Sequence, residues 1–179
     1  MTAMMIRPMD GKDLSQLRVA FIHFWLTGMR GGERVVESLC RMFPKADIYT
    51  HVVRPEVLSQ TLLTHPIHTT FIHKLPGIIK HYQKYFPLMP LALEQLDLRG
   101  YDLVISSESG PAKGVITRAD TPHICYCHSP MRYLWDFYQD YLDSTGPATR
   151  FLMRPIFHRL RLWDYASAQR VDHIIANSR

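Results

Sequence analysis

Cysteine is scarce: Cys40, Cys125 and Cys127 are the only three in 179 residues. Three thiols cannot build a disulfide framework, and Cys125 and Cys127 stand too close together to bridge comfortably. That points to a reducing compartment, so a cytoplasmic location is expected. No apolar run is long enough to cross a bilayer. Residues 1–17 carry Asp10, Lys12 and Asp13 and no sustained apolar stretch, so they read as a flexible leader rather than a signal peptide. The chain also lacks G-x-G-x-x-G and Walker A loops, which argues against a standard dehydrogenase and a P-loop NTPase. It has no recognition-helix motif, zinc finger or RNP-like strand, so no nucleic-acid partner is expected despite a net charge of +5. Acidic residues are missing altogether from Val57 to Leu93 and from Ala148 to Trp163.

What is present is an ordinary globular balance, 46% hydrophobic and 21% charged, in a chain large enough for one core. Arg18–Trp25 reads as a buried first strand. A glycine-rich turn and a helix follow, with Val35, Val36, Leu39, Cys40 and Phe43 on one face and Pro44 as its stop. Asp47–Val53 and His68–Leu75 read as the second and third strands. Ile78–Leu96 is helical but broken by Pro87 and Pro90. Tyr101–Ser107 and His123–Cys127 are further strands. Arg132–Leu142 and Phe151–Gln169 read as helices, and Val171–Arg179 as a last strand. Strands alternating with helices predict an α/β fold, a Rossmann-like doubly wound parallel sheet.

Ligands of such sheets bind beyond the carboxyl ends of the strands, which selects the candidates. Thr27-Gly28-Met29-Arg30-Gly31-Gly32-Glu33 joins the first strand to its helix. It is either a tight turn or a place where backbone N–H groups approach a phosphate. Cys125-Tyr126-Cys127-His128 invites a metal reading, but no second cluster supplies the remaining ligands, so no metal is expected. His128 at the strand tip suits a sugar hydroxyl or a phosphate. Arg132, between Pro130 and Trp135, is a phosphate or sugar contact or a solvated helix start. Lys113 is a cleft cation or a surface lysine.

The two acid-free stretches read as core-facing helices with a solvated basic side, or as amphipathic surfaces for an anionic membrane. In the second stretch Leu152, Ile156, Leu160 and Trp163 fall on one face, and Arg154, His158 and Arg161 on another.

Val19 to Glu33, Tyr101 to Ser107, Ala112-Lys113-Gly114, His123 to Asp136, Leu162-Trp163-Asp164 and Ala176-Asn177-Ser178 together resemble the N-terminal domain of family 4 glycosyltransferases. The likeness is to bacterial mannosyltransferase-like members that build surface polysaccharides, and it covers nearly everything after Leu17. It implies a GT-B architecture: residues 18–179 would be the acceptor-side domain of two that face each other across a cleft. The donor domain, with its E-x7-E motif, is absent from this sequence. The implied reaction moves a hexose, mannose by likeness, from a nucleotide-sugar such as GDP-mannose. The acceptor is a glycan or a polyprenyl-diphosphate-linked molecule, configuration is retained, and neither metal nor cofactor is needed.

By the same likeness His128 is the catalytic candidate, contacting the transferred sugar. Gly31 and Gly32 lie near the donor diphosphate, and Lys113, Arg132 and Asn177 are cleft or acceptor-side groups. The isolated chain is expected to be inactive. The alternative is a non-catalytic acceptor-binding or membrane-docking subunit that works with a separate donor-binding chain. Either would sit in the cytoplasm, peripheral on the inner face of the membrane.

Overall fold

The computed structural model describes residues 13–108 and 110–177. Six strands, β1 (Val19–His23), β2 (Asp47–Thr50), β3 (Ile67–Thr69), β4 (Leu103–Glu108), β5 (His123–Cys127) and β6 (His173–Ala176), form one sheet. All pairs are parallel and the order is β3-β2-β1-β4-β5-β6. The helices are α1 (Gly31–Met42), α2 (Gln60–Leu63), α3 (Ile78–His81), α4 (Met89–Glu94), α5 (Tyr138–Asp143) and α6 (Pro147–Ala168). The sheet is the expected Rossmann-like one. Its order reverses at β1, so the chain leaves β1 and β4 in opposite directions and opens a crevice above their carboxyl ends.

β1 is buried along its whole length, which the alternation of a strand explains. Val19 and Phe21 pack on one face with Val36, Cys40, Phe43, Ile48 and Ile105. Ala20 and Ile22 pack on the other with Leu93, Leu98, Val104 and Val115.

Two aspartates set the register at the amino ends of the strands. The Asp102 N–H donates to the Arg18 carbonyl at 2.8 Å, while its carboxylate accepts the Arg18 N–H at 3.0 Å. Asp172 does the same to His123, at 3.0 and 2.8 Å. Each closes a ring with the neighbouring strand, leaving no backbone group orphaned where the ladder begins.

Several expected boundaries move. The third strand stops at Thr69, and Phe71–Lys74 is a 3-10 turn. Ile72 and Leu75, three apart, both turn into the cluster of Val52, Ile78 and Met89, a spacing that suits a turn and not a strand. Arg132–Phe137 makes successive turns, and only Tyr138–Asp143 is helical. There Met131 and Leu134 both bury, while the Trp135 indole is drawn off to Asp164. The long helix begins four residues before Phe151, at Pro147, where a proline costs no hydrogen bond.

The buried residues of α6 are Phe157, Leu160, Asp164 and Ser167, so Leu152 faces solvent and Ile156, 39% exposed, lies at an open groove instead of in the expected core face. Residues 1–12 of the expected leader lie outside the described residues, as do Arg179 and Ser178 of the last strand. Leu17 is only 1% exposed and belongs to the core, so packing begins before Arg18.

Candidate functional site

The crevice at the switch point is a cavity of about 640 Å³. One wall is the first turn of α1, with Arg30, Gly31, Gly32 and Glu33. The other holds His23, His128, Tyr133 and Asn177. Each of these comes from the carboxyl end of a strand or the loop after it, so the parallel sheet gathers residues far apart in sequence.

The helix wall offers donors. First-turn N–H groups have no partner inside a helix, and the dipole places positive charge there. Glu33 is buried and turns back to accept the Arg30 N–H at 3.1 Å. The N–H groups of Gly31 and Gly32 remain beside the cavity. A Cβ on Gly32 would come within 3.2 Å of His23 Cε1 and 3.6 Å of His128 Nε2. Glycine at 32 therefore lets the helix end approach both imidazoles.

The histidine wall is organised by Ser107, opposite His23 in the β1–β4 register. The His23 Nδ1–H donates to the Ser107 carbonyl at 3.2 Å, and the Ser107 hydroxyl pairs with His128 Nε2 at 2.9 Å. Burial pushes His23 down to about 4, outweighing the opposing effect of the Ser107 carbonyl, and His128 nearby lowers it further. Burial also lowers His128, with the Glu33 carboxylate pulling the other way. Near neutral pH this wall holds neutral imidazoles, able to accept or donate hydrogen bonds rather than to act as fixed cations. Asn177 is fixed by its own N–H to the Cys127 carbonyl at 3.1 Å and by the Tyr126 hydroxyl on Oδ1 at 3.1 Å.

Of the six residues singled out in the sequence, Gly31, Gly32, His128 and Asn177 share this cavity, and Lys113 and Arg132 do not line it. Lys113 is largely buried and so is not a surface lysine. It forms an ion pair with Asp164 on α6, both side chains largely buried, and Asp164 also accepts the Trp135 indole N–H at 2.9 Å. Arg132 is exposed, its guanidinium 4.6 Å from the centre of the Phe137 ring and its Nε 3.9 Å from Asp136. Asp136 and Phe137 hold it along its own turn, and it does not line the cavity.

Sequence reasoning passes over His23 and Ser107, and takes Glu33 only as part of the glycine turn. The signal for the first two is a polar residue ending an otherwise apolar strand, since a side chain there leaves the core for the crevice. Cys125 is buried in the sheet and Cys127 partly so. Among the described residues no three His, Cys, Asp or Glu side chains are grouped to hold a metal ion, and no helix is long and apolar enough to cross a membrane.

Among solved structures, the chain is similar to the apo form of the lipopolysaccharide outer core galactosyltransferase WaaB, at 13% identity and a TM-score of 0.38. That match covers 87% of this chain, which spans 44% of the other's length. No curated protein matches. The model of Glycosyltransferase Family 4 matches residues 29–179, from the loop before α1 through β6. The matched segment takes in most of the chain and all of the crevice lining except His23, Phe24 and Trp25 at the end of β1, and the chain belongs to glycosyltransferase family 4.

Proposed function

We propose that this chain is the acceptor-side half of a retaining GT-B enzyme. It would transfer a hexose from a nucleotide-sugar to a polyprenyl-diphosphate-linked acceptor in surface polysaccharide assembly. GDP-mannose is the donor to test first. One observation carries the reading: the polar crevice adjoins a second cavity of about 460 Å³, lined by Trp25, Phe86, Tyr133, Met153, Ile156 and Phe157. The two share Trp25 and Tyr133. A ligand with a sugar and phosphate head and a hydrocarbon tail matches that pairing of N–H donors and imidazoles with an apolar groove.

In this reading the Gly31 and Gly32 N–H groups meet phosphate oxygens, His128 contacts the transferred sugar, and Asn177 is a cleft contact. Arg132 and Lys113 are left out for the reasons of geometry given above. Stabilising charge on the leaving diphosphate is the largest catalytic contribution in such a transfer, and these 179 residues contain no E-x7-E pair to help supply it. The expected result is no turnover of GDP-mannose by the chain alone. When the chain is joined to a donor-binding domain carrying E-x7-E, mannosyl product should form with the donor's anomeric configuration, read by NMR. Turnover by the chain alone would defeat the half-enzyme reading. Failure of the completed protein with every nucleotide-hexose tried would defeat glycosyl transfer itself.

The same reading puts α6 on an anionic membrane. Phe151 is 76% exposed and Leu152 64%, beside Arg150, Arg154 and Arg159, with no acid between Ala148 and Trp163. Exposed apolar side chains enter the headgroup region while arginines meet lipid phosphates. The chain should sediment with phosphatidylglycerol vesicles at low salt. Arg154→Glu should weaken binding by about thirtyfold, since each basic residue near the surface contributes about 1 kcal/mol and here the charge is reversed. Equal binding to neutral phosphatidylcholine vesicles, or none to either, would remove this docking.

A further inference from the structure

His23 plays no part in the reading above, yet it is the most constrained polar side chain in the crevice. It is the last residue of β1, is 1% exposed, and lines the cavity beside Gly32 in the first turn of α1. Its Nδ1 lies 3.2 Å from the Ser107 main-chain oxygen, a group that can only accept. That fixes the tautomer: the proton sits on Nδ1, and Nε2 carries a lone pair. Nε2 is buried and makes no hydrogen bond among the described residues. It sits 3.8 Å from where a Cβ on Gly32 would be, so it faces the same space as the glycine N–H groups.

A lone pair there repels a phosphate oxygen and requires a donor. The two walls are therefore complementary in kind. The helix end offers N–H donors to an anion, and His23 offers an acceptor to an O–H. We propose that His23 is a specificity residue that accepts a hydrogen bond at Nε2 from a hydroxyl of the bound sugar, so that the crevice recognises a phosphorylated polyol rather than phosphate alone. Ser107 then orients both imidazoles, His23 through its main-chain carbonyl and His128 through its hydroxyl. A side-chain substitution at Ser107 releases His128 and leaves the His23 tautomer in place.

The choice of probe rests on the glycosyl-transfer reading. The experiment compares α-D-mannose 1-phosphate with inorganic phosphate on the 179-residue chain labelled with ¹⁵N-histidine. In the free chain a long-range ¹H–¹⁵N spectrum should show His23 protonated at Nδ1 and bare at Nε2. The sugar phosphate should move the Nε2 resonance upfield, as a bare nitrogen moves on accepting a hydrogen bond, while phosphate leaves it in place.

His23→Asn keeps a donor to Ser107 and removes the acceptor. It should weaken mannose 1-phosphate by about tenfold, the scale of one buried acceptor lost, with phosphate binding unchanged. His23→Gln returns an amide oxygen near the Nε2 position and should recover part of the loss. A proton on Nε2, a sugar phosphate that leaves Nε2 unmoved because only water sits there, no binding of the sugar phosphate, or His23→Asn weakening both probes equally would each overturn the proposal. The wild-type spectrum needs no variant, so a misfolded His23→Asn cannot obscure the answer. Hydroxyl recognition at His23 alongside a completed protein that transfers no sugar would overturn the enzyme reading alone. Transfer with His23 indifferent to hydroxyls would overturn only this one.

Discussion

Lowering the pH from 7.5 to 5 should cost this fold about 6 kcal/mol, a loss comparable with the whole stability of many domains. The cause is three histidines buried in neutral form. Burial pushes His23 and His123 down to about 4 and His51 to about 3. Each makes one hydrogen bond: His23 to the Ser107 carbonyl, His51 to the Thr70 hydroxyl at 2.9 Å, and His123 to the Ser106 hydroxyl at 2.8 Å. The other ring nitrogen of each is buried and has no hydrogen-bond partner among the described residues. A proton there creates both a buried charge and an unpaired donor.

The sign follows from linkage. An unfolded histidine titrates near 6.5, so between that value and about 4 the unfolded chain binds more protons. Stability is therefore fully present above about pH 6.5 and drains away as pH falls. At pH 5 each group contributes about 2 kcal/mol of loss. Urea unfolding across this range should show a slope near pH 5.5 approaching three protons. His51→Asn, which keeps a donor to Thr70, should lower it by about one. A slope below one proton would mean that these rings are already charged, or wet, in the native state.

Those histidines also mark where sequence reasoning stops. His123–Cys127 is readable at both ends because its length and composition describe a buried strand, and the order of elements suffices for the Rossmann-like sheet. Whether a histidine within such a strand ends in the core or in the crevice depends on register. His23 faces the crevice because it pairs with Ser107 across β1 and β4, 84 residues away in sequence. Gly31, Gly32 and His128 could be picked out because each was expected in a turn or at the tip beyond a strand, whereas Asn177, inside the expected last strand, came only from the family resemblance.

The pairing of Lys113 was hidden for the opposite reason. Its partner Asp164 lies 51 residues away on a helix whose own spacing suggests another face. Period alone put Leu152 and Ile156 inward, but the ion pair and the Trp135–Asp164 bond fix the rotation of α6 at Asp164 and leave those two outside the core. One signal was available and unused. Tyr101-Asp102-Leu103-Val104-Ile105 and Val171-Asp172-His173-Ile174-Ile175 share a pattern, and both aspartates close the start of a strand ladder.

The same junction yields the largest expected effect of a single methyl group. Gly114 ends the 3-10 turn Ala112–Gly114, and a Cβ added to it would fall far inside contact distance of Trp163 Cζ2 and Cη2. The indole cannot easily retreat. Its Nε1–H donates to Glu94 at 2.9 Å, and that carboxylate also holds Arg170 at 2.7 Å, which itself donates to the Gly114 carbonyl at 3.0 Å. Next to it the Lys113–Asp164 pair fixes the adjacent residues of both segments.

Gly114→Ala should therefore destabilise by about 3 kcal/mol, the upper part of the usual range for overpacking, and lower the melting temperature by roughly 6–12 °C. Gly32→Ala meets only a 3.2 Å contact with His23 and should cost far less. A double-mutant cycle in urea separates the clash from any preference of the backbone for glycine, because Gly114 does not carry a positive φ. With Trp163→Phe in place, the outer atoms of the indole are gone, and Gly114→Ala should then cost under about 1 kcal/mol. An equal cost in both backgrounds would locate the effect in the turn and not in the ring.

The consequence reaches the site. α6 carries Ile156, Phe157 and Leu160 into the wall of the apolar cavity. A variant that loosens the seat of Trp163 should thus open that groove and, on the proposed function, weaken binding of a lipid-linked acceptor more than binding of a short sugar phosphate.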